Sequence, residues 1–308
     1  SLSADIAFNE KRLLDAEAAM DTAPGELARF LFVLEDLETQ QILGTTGIGV
    51  RGHHLMPAFL VEPNHTFSRV PHHHFDAGAI MKSHLADGCG ELQSLFLKAH
   101  ARGGGMGTLL SRSRLMLMAQ HTDRFPAKFV SELRGVASQD GSFPFWEGLG
   151  RHFTGLSSRE AEEVVASGGT MALGQMLPDG PIPISLLEAD ARAALEKVHP
   201  STQGAKRLLL VEGFEMRGLA NVLDAGPMPM LTIEDSVSVR HSVHRTVHIG
   251  DPRDPRRTLM ANTRWNEFRA ALGEVEIRDQ AVTLDGDLAQ ALRVDEGDEL
   301  RILTLGGG

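Results

Sequence analysis

The chain contains no tyrosine, a single cysteine (Cys89) and two tryptophans among 308 residues. Without a tyrosine phenol, a general acid has to be histidine, cysteine, glutamate or water. One cysteine excludes an intrachain disulfide framework. No apolar run approaches the length of a membrane span, and the opening SLSADIAFNEKRLL lacks the basic-then-apolar pattern of a signal peptide. These absences point to a reducing cytoplasm with no membrane partner. An excess of basic residues is missing too: the formal net charge is -11, which argues against a dedicated nucleic-acid surface. What is present is an ordinary globular composition, 42% hydrophobic and 23% charged, long enough for one large domain or two modest ones.

The most informative stretch is residues 91–118. An apolar run, Leu92 to Leu97, reads as a buried strand, and a long helix carrying Leu109, Leu110, Leu117 and Met118 follows. Between them lies Arg102-Gly103-Gly104-Gly105-Met106-Gly107, which fits R-x-x-G-x-G. Glycines let backbone N–H groups approach an anion without interference from Cβ, and the helix N-terminus adds its positive dipole end. No Lys-Ser/Thr follows, so a P-loop is excluded, and the spacing is not that of a dinucleotide fingerprint. A tight turn is the ordinary role of such a cluster. Arg112 and Arg114 favour phosphate binding instead, because two arginines early in a helix oppose its dipole unless an anion sits there. Strand, R-x-x-G-x-G and helix in this order resemble the coenzyme A signature of the GNAT N-acyltransferase superfamily.

Elsewhere, residues 3–20 read as a helix broken by Pro24-Gly25. Phe30–Leu34 and Ile42–Val50 read as an antiparallel hairpin, and residues 51–90 give no clear pattern. Phe129–Val136 alternates as a strand, and Phe145–Gly150 reads as a short helix. Helical pieces flank Gly168-Gly169, and Ser185–Glu196 and Lys206–Glu212 are further helices, the last ended by Gly213. Past Gly226 the texture changes to short strands, among them Val237–Val239, Val243–Ile249 and Val275–Ile277. The expected organisation is α+β: a domain at 1–226 and a β-rich subdomain at 227–308.

Glu132 and Arg134 lie two apart on an expected strand, hence on one face. Such a face is ordinarily solvated. At an open sheet end, Glu132 could hold a cationic substrate and Arg134 an acidic acyl tail. His199 precedes a proline just before a helix start, where it is held rigidly. The runs His53-His54 and His72-His73-His74 lack carboxylate or cysteine partners at ligand spacing, and adjacent histidines cannot all face one ion, so no metal site is expected.

Taken together, ELQSLFL (91–97), RGGGMGTLLSRSRLMLMA (102–119), KFVSELRGV (128–136), PFWEGLGRHF (144–153), VHPST (198–202) and VEGF…DAGP (211–227) resemble the arginine N-succinyltransferase family in one colinear order. The resemblance implies a GNAT fold with a mixed, splayed sheet flanked by helices. It implies succinyl-CoA as acyl-donor substrate and the α-amine of L-arginine, or of ornithine, as acceptor. It places a proton-donor histidine at His199 and a succinyl-CoA contact at Leu95, where a main-chain N–H of the splayed strand would meet the thioester carbonyl. The chain is expected to begin past the family's first strand and helix. Two alternatives stand beside this one: a GNAT enzyme for another amine or acyl donor, and a partner-dependent subunit. A homo-oligomer, or a hetero-oligomer with a homologous chain, is expected.

Overall fold

The computed structural model describes residues 16, 18–23, 26–50, 57–70 and 73–306. Most of the helix expected at 3–20 lies outside them, as do Pro24-Gly25, His53, His54 and His72. Apolar–polar alternation produces the first hairpin: β1 (Ala28–Asp36) and β2 (Gln41–Val50) pair antiparallel. The Asp36 carboxylate closes the turn by accepting the N–H groups of Glu38 and Thr39, both at 3.0 Å. The stretch without a clear pattern becomes two long antiparallel strands, β3 (Ala58–Val70) and β4 (His73–Ser83). β5 (Gly90–Leu97) then joins β2, and α1 (Met106–Gln120) packs back across both.

β6 is only Lys128–Val130, shorter than the strand expected at 129–136. Its continuation is bonded from one side: the N–H groups of Ser131 and Leu133 donate to Pro229 and Pro227. Two helices, α2 (Ser158–Ala166) and α3 (Thr170–Met176), flank the Gly168-Gly169 break. β7 (Ile182–Pro183), α4 (Ala189–Ala194), α5 (Gln203–Glu212), β8 (Leu219–Asn221) and β9 (Met230–Thr232) follow. The first sheet has the order β1-β2-β5-β6-β9, and the second β7-β4-β3-β8. Phe30, Ile48, Leu92, Leu115, Leu117 and Phe129 form the core between the first sheet and α1.

Val237–Val239, expected as a strand, lies in a helical turn, α6 (Val237–His241). The Ser236 side chain caps it by accepting the Val239 N–H, and this local bond outweighs the β-propensity of the valines. The C-terminal part is a closed barrel of β10 (Val243–Ile249), β11 (Arg256–Asn262), β12 (Ala270–Arg278), β13 (Ala281–Leu284) and β14 (Glu299–Thr304), in the order β10-β13-β12-β11-β14. Helix α7 (Gly286–Leu292), within the part expected to be β-rich, buries Ala289 and Leu292. Residues 227–242 were expected with the β-rich part, yet β9 pairs with β6 and α6 packs on α1. Among the described residues no helix is long and apolar enough to cross a membrane.

Candidate active site

β5 and β6 run parallel for two residue pairs only, Gly90 with Phe129 and Glu91 with Val130. A Cβ on Gly90 would lie 2.3 Å from the Phe129 ring, so glycine is what permits the close start. Beyond that point the strands part. The Ser131 hydroxyl still donates to the Leu92 carbonyl at 3.0 Å, but residues 131–133 then follow 227–229 while β5 stays with β2. The result is a sheet open between two arms.

On the β5 arm the register with β2 shifts between Thr45 and Gly47, and Ser94 takes φ 57. This bulge re-aims the main chain at Ser94 and Leu95, as bulges beside active sites do. Leu95 is half-buried on it. The arm ends where the Arg102 Nε donates to the Leu97 carbonyl at 3.4 Å. Gly103, Gly104 and Gly105 follow with φ 101, 55 and 85, a run of left-handed residues that only glycine adopts cheaply. A Cβ on Gly103 or Gly104 would meet nothing within 4 Å, so that face of the loop is open. Gly105 is the N-cap of α1 and supplies no side-chain cap; Met106 and Gly107 begin the helix. The positive end of a fifteen-residue helix dipole, uncapped by any side chain, lies there.

Arg112 and Arg114 do not serve this loop. Arg114 is 1% exposed, and its guanidinium donates to the carbonyl and hydroxyl of Ser111. Arg112 pairs with Glu212 of α5 at 3.0 Å. The anion that answers the two arginines is therefore a buried carboxylate of the protein itself.

The second arm carries Glu132 and Arg134, both exposed, alternating with the buried Ser131 and Leu133. His199 joins this arm through its backbone: its N–H donates to the Arg134 carbonyl at 2.8 Å. Three of the sequence-predicted residues are thus brought together. The Ser201 N–H can only donate, and it reaches the His199 Nδ1 at 3.2 Å. In the neutral ring Nδ1 is then the acceptor and the N–H is on Nε2; as a general acid the ring gives up a proton from its imidazolium form. Pro200 begins the helical turn that holds this geometry.

Three groups beside this arm escaped the sequence reading. Asn221 Nδ2 donates to Glu132 at 3.2 Å. Asp224 accepts the N–H groups of Gly135 (2.7 Å) and Gly226 (2.8 Å). Burial pushes its carboxyl up, while those two N–H groups and Arg134 pull it down. Burial also raises Glu162, with Arg134 opposing and Asp224 adding to the shift. Asp224 carried one local signal, the Asp-Ala-Gly turn; Glu162 lies on a helix about thirty positions from its neighbour Arg134, beyond any spacing rule. A cavity of about 310 Å³ beside Lys128, Glu215 and Arg240 shares no residue with either arm. No group of three or more His, Cys, Asp or Glu among the described residues is placed to hold a metal ion.

The family model described as arginine N-succinyltransferase beta subunit matches residues 1–238, and that of its C-terminal domain matches residues 243–304. The chain belongs to the arginine N-succinyltransferase family. It is 32% identical over 305 residues to the arginine N-succinyltransferase of Yersinia enterocolitica, covering 94% of this chain and 86% of the relative. The Yersinia pseudotuberculosis enzyme of that name is 31% identical over 312 residues, 96% of this chain and 87% of the relative. Among solved structures, arginine/ornithine succinyltransferase subunit AI from Pseudomonas aeruginosa superposes with a TM-score of 0.85 at 28% identity, covering 98% of this chain and 90% of that one.

Proposed function

We propose that the chain is an enzyme that transfers a succinyl group from succinyl-CoA to the α-amino group of L-arginine, giving N2-succinylarginine and CoA. The observation that carries this reading is the open sheet, with a phosphate-type glycine loop ending one arm and His199 bonded to the other, which carries Glu132 and Arg134. The part through β9 and α6 is read as a GNAT-type acyltransferase domain, and the barrel as a separate subdomain.

In this reading Arg102, Gly103, Gly104, Gly105, Met106 and Gly107 hold the donor's pyrophosphate, and the bulged main chain at Leu95 faces the thioester carbonyl. Hydrogen bonding there stabilises negative charge as it develops on oxygen. Glu132 attracts the cationic acceptor, and Arg134 the carboxylate of the succinyl tail. The acceptor nitrogen loses its proton to a base or to water and forms the C–N bond. The C–S bond then breaks, and His199 in its imidazolium form gives a proton from Nε2 to the departing sulfur and returns to the neutral ring. No metal is assigned a role.

Thiol release from succinyl-CoA with arginine, ornithine, lysine or no amine tests the assignment. Arginine should give the fastest release. Release that is independent of every amine, or seen only with another acyl donor, would overturn it. His199→Ala should lower turnover on the order of a hundredfold while leaving CoA affinity unchanged; undiminished turnover removes the role from His199. A second reading is favoured by the words "beta subunit" in the family description and "subunit AI" in the Pseudomonas aeruginosa title. A chain that binds CoA but turns over only with a homologous partner would be such a subunit, and light scattering on the active species identifies it.

A further inference from the structure

The C-terminal barrel reaches the glycine loop through Arg257 and Leu272. Arg257, exposed on β11, donates a hydrogen bond from Nη2 to the Gly104 carbonyl. A Cβ on Gly105 would lie 2.8 Å from that same nitrogen and 2.7 Å from Leu272 of β12, so the barrel closes on one side of the loop. The other side, at Gly103 and Gly104, is open. Neighbouring Arg256 has Asp254 as a partner, whereas among the described residues no carboxylate pairs with Arg257 or with Arg102. Holding a carbonyl is therefore the contact that Arg257 makes in place of an ion pair.

That contact has a geometric effect. The Gly104–Gly105 peptide is planar and trans, so its carbonyl and its N–H point in opposite directions. With the carbonyl held toward the barrel, the Gly105 N–H is turned away from it, to the open side. Three glycines in succession have the least conformational restraint a loop can have, and an unrestrained peptide would turn its carbonyl outward part of the time. A carbonyl facing an anion repels it. We propose that Arg257 is a positioning residue for the donor site: it fixes the glycine loop with its N–H groups outward, which makes the barrel a working part of CoA binding. This rests on the reading of the loop as the CoA pyrophosphate site.

Calorimetric titration of CoA and of 3′-dephospho-CoA into the full-length wild type, Arg257→Ala and Arg257→Lys provides the test. Both ligands carry the pyrophosphate, so Arg257→Ala should weaken both equally, on the order of tenfold, the size expected for a lost charge-assisted hydrogen bond. Arg257→Lys, which keeps a donor, should retain part of the affinity. Because Arg257 is exposed, the melting temperature of the alanine variant should match the wild type. Affinity within twofold of wild type for Arg257→Ala would overturn this inference alone. A loss confined to CoA, sparing the dephospho form, would also overturn it, since Arg257 would then grip the 3′-phosphate directly. A wild type that binds neither ligand would overturn the donor-site reading and this inference with it.

Discussion

Glu212 is the residue on which the helix behind the loop depends. It is fully buried, and its two carboxylate oxygens accept from the Ser236 hydroxyl (2.5 Å), the Ser238 N–H (2.6 Å), the Ser238 hydroxyl (3.0 Å) and the Arg112 Nε (3.0 Å). Burial pushes the Arg114 guanidinium down to about 9, and the Glu212 charge opposes that shift. The pair of arginines costs free energy to bury and is tolerated because the carboxylate is there. Glu212→Ala leaves the buried Arg114 and the partly buried Arg112 without their carboxylate and cuts the tie between α5, α6 and α1. A loss of about 3–5 kcal/mol is expected, read from the urea unfolding midpoint. A loss below about 1 kcal/mol, the level of an exposed pair, would show that the network is dispensable.

At the scale of elements, Glu147 joins the helical turn at 146–154 to the start of α2. One oxygen accepts the Ser158 N–H at 2.8 Å and the other accepts from Arg151 at 2.7 Å. Burial pushes this carboxyl up, but the Ser158 and Arg151 bonds outweigh it, and the net shift is downward. A carboxyl whose folded pKa lies below its unfolded value, about 4.3, adds stability at neutral pH and loses it as pH falls through the folded value. The melting-temperature gap between wild type and Glu147→Gln should thus be open at pH 7 and close under strongly acid conditions. A gap that is constant across that range would refute the linkage.

Elements marked by local chemistry were legible in the sequence. The hairpin at 28–50, the glycine loop and the stop of α5 at Gly213 (φ 105) each rest on residues within a turn of one another. Glu132, Arg134 and His199 were legible as candidates because alternation and the His-Pro constraint are local as well. What could not be read depended on distant partners. The alternating run 129–136 predicts a strand, but whether it stays paired with β5 is decided by Pro227 and Pro229, about a hundred residues on. Val237–Val239 turns helical because Glu212 and Ser236 accept its first N–H groups. Arg112 and Arg114 were expected to mark a bound phosphate, but the anion beside Arg112 is Glu212, which the packing of α5 on α1 brings there.

At the scale of the whole molecule, a shared core binds the barrel to the rest of the chain. Leu259, Ala261 and Leu303 of the barrel pack with Leu109 and Met116 of α1. Trp265, in the loop between β11 and β12, is the second link. Its ring meets Phe30 edge-on at 5.5 Å and His121 at 5.0 Å, and the Arg124 guanidinium lies 4.3 Å from its centroid. Its Nε1–H donates to the Met20 carbonyl at 2.9 Å. A half-buried tryptophan with these contacts should be worth about 2–3 kcal/mol, at the low end of the range for aromatic truncations. Trp265→Ala is expected to lower the melting temperature and to separate the calorimetric transition into two, since the barrel has its own core of Val247, Met260, Val275, Val282 and Leu300. The CoA affinity of the variant, measured below the first transition, should fall together with that coupling if the barrel holds the loop. A single transition at the wild-type temperature would mean that α1 and β11 alone hold the two parts together.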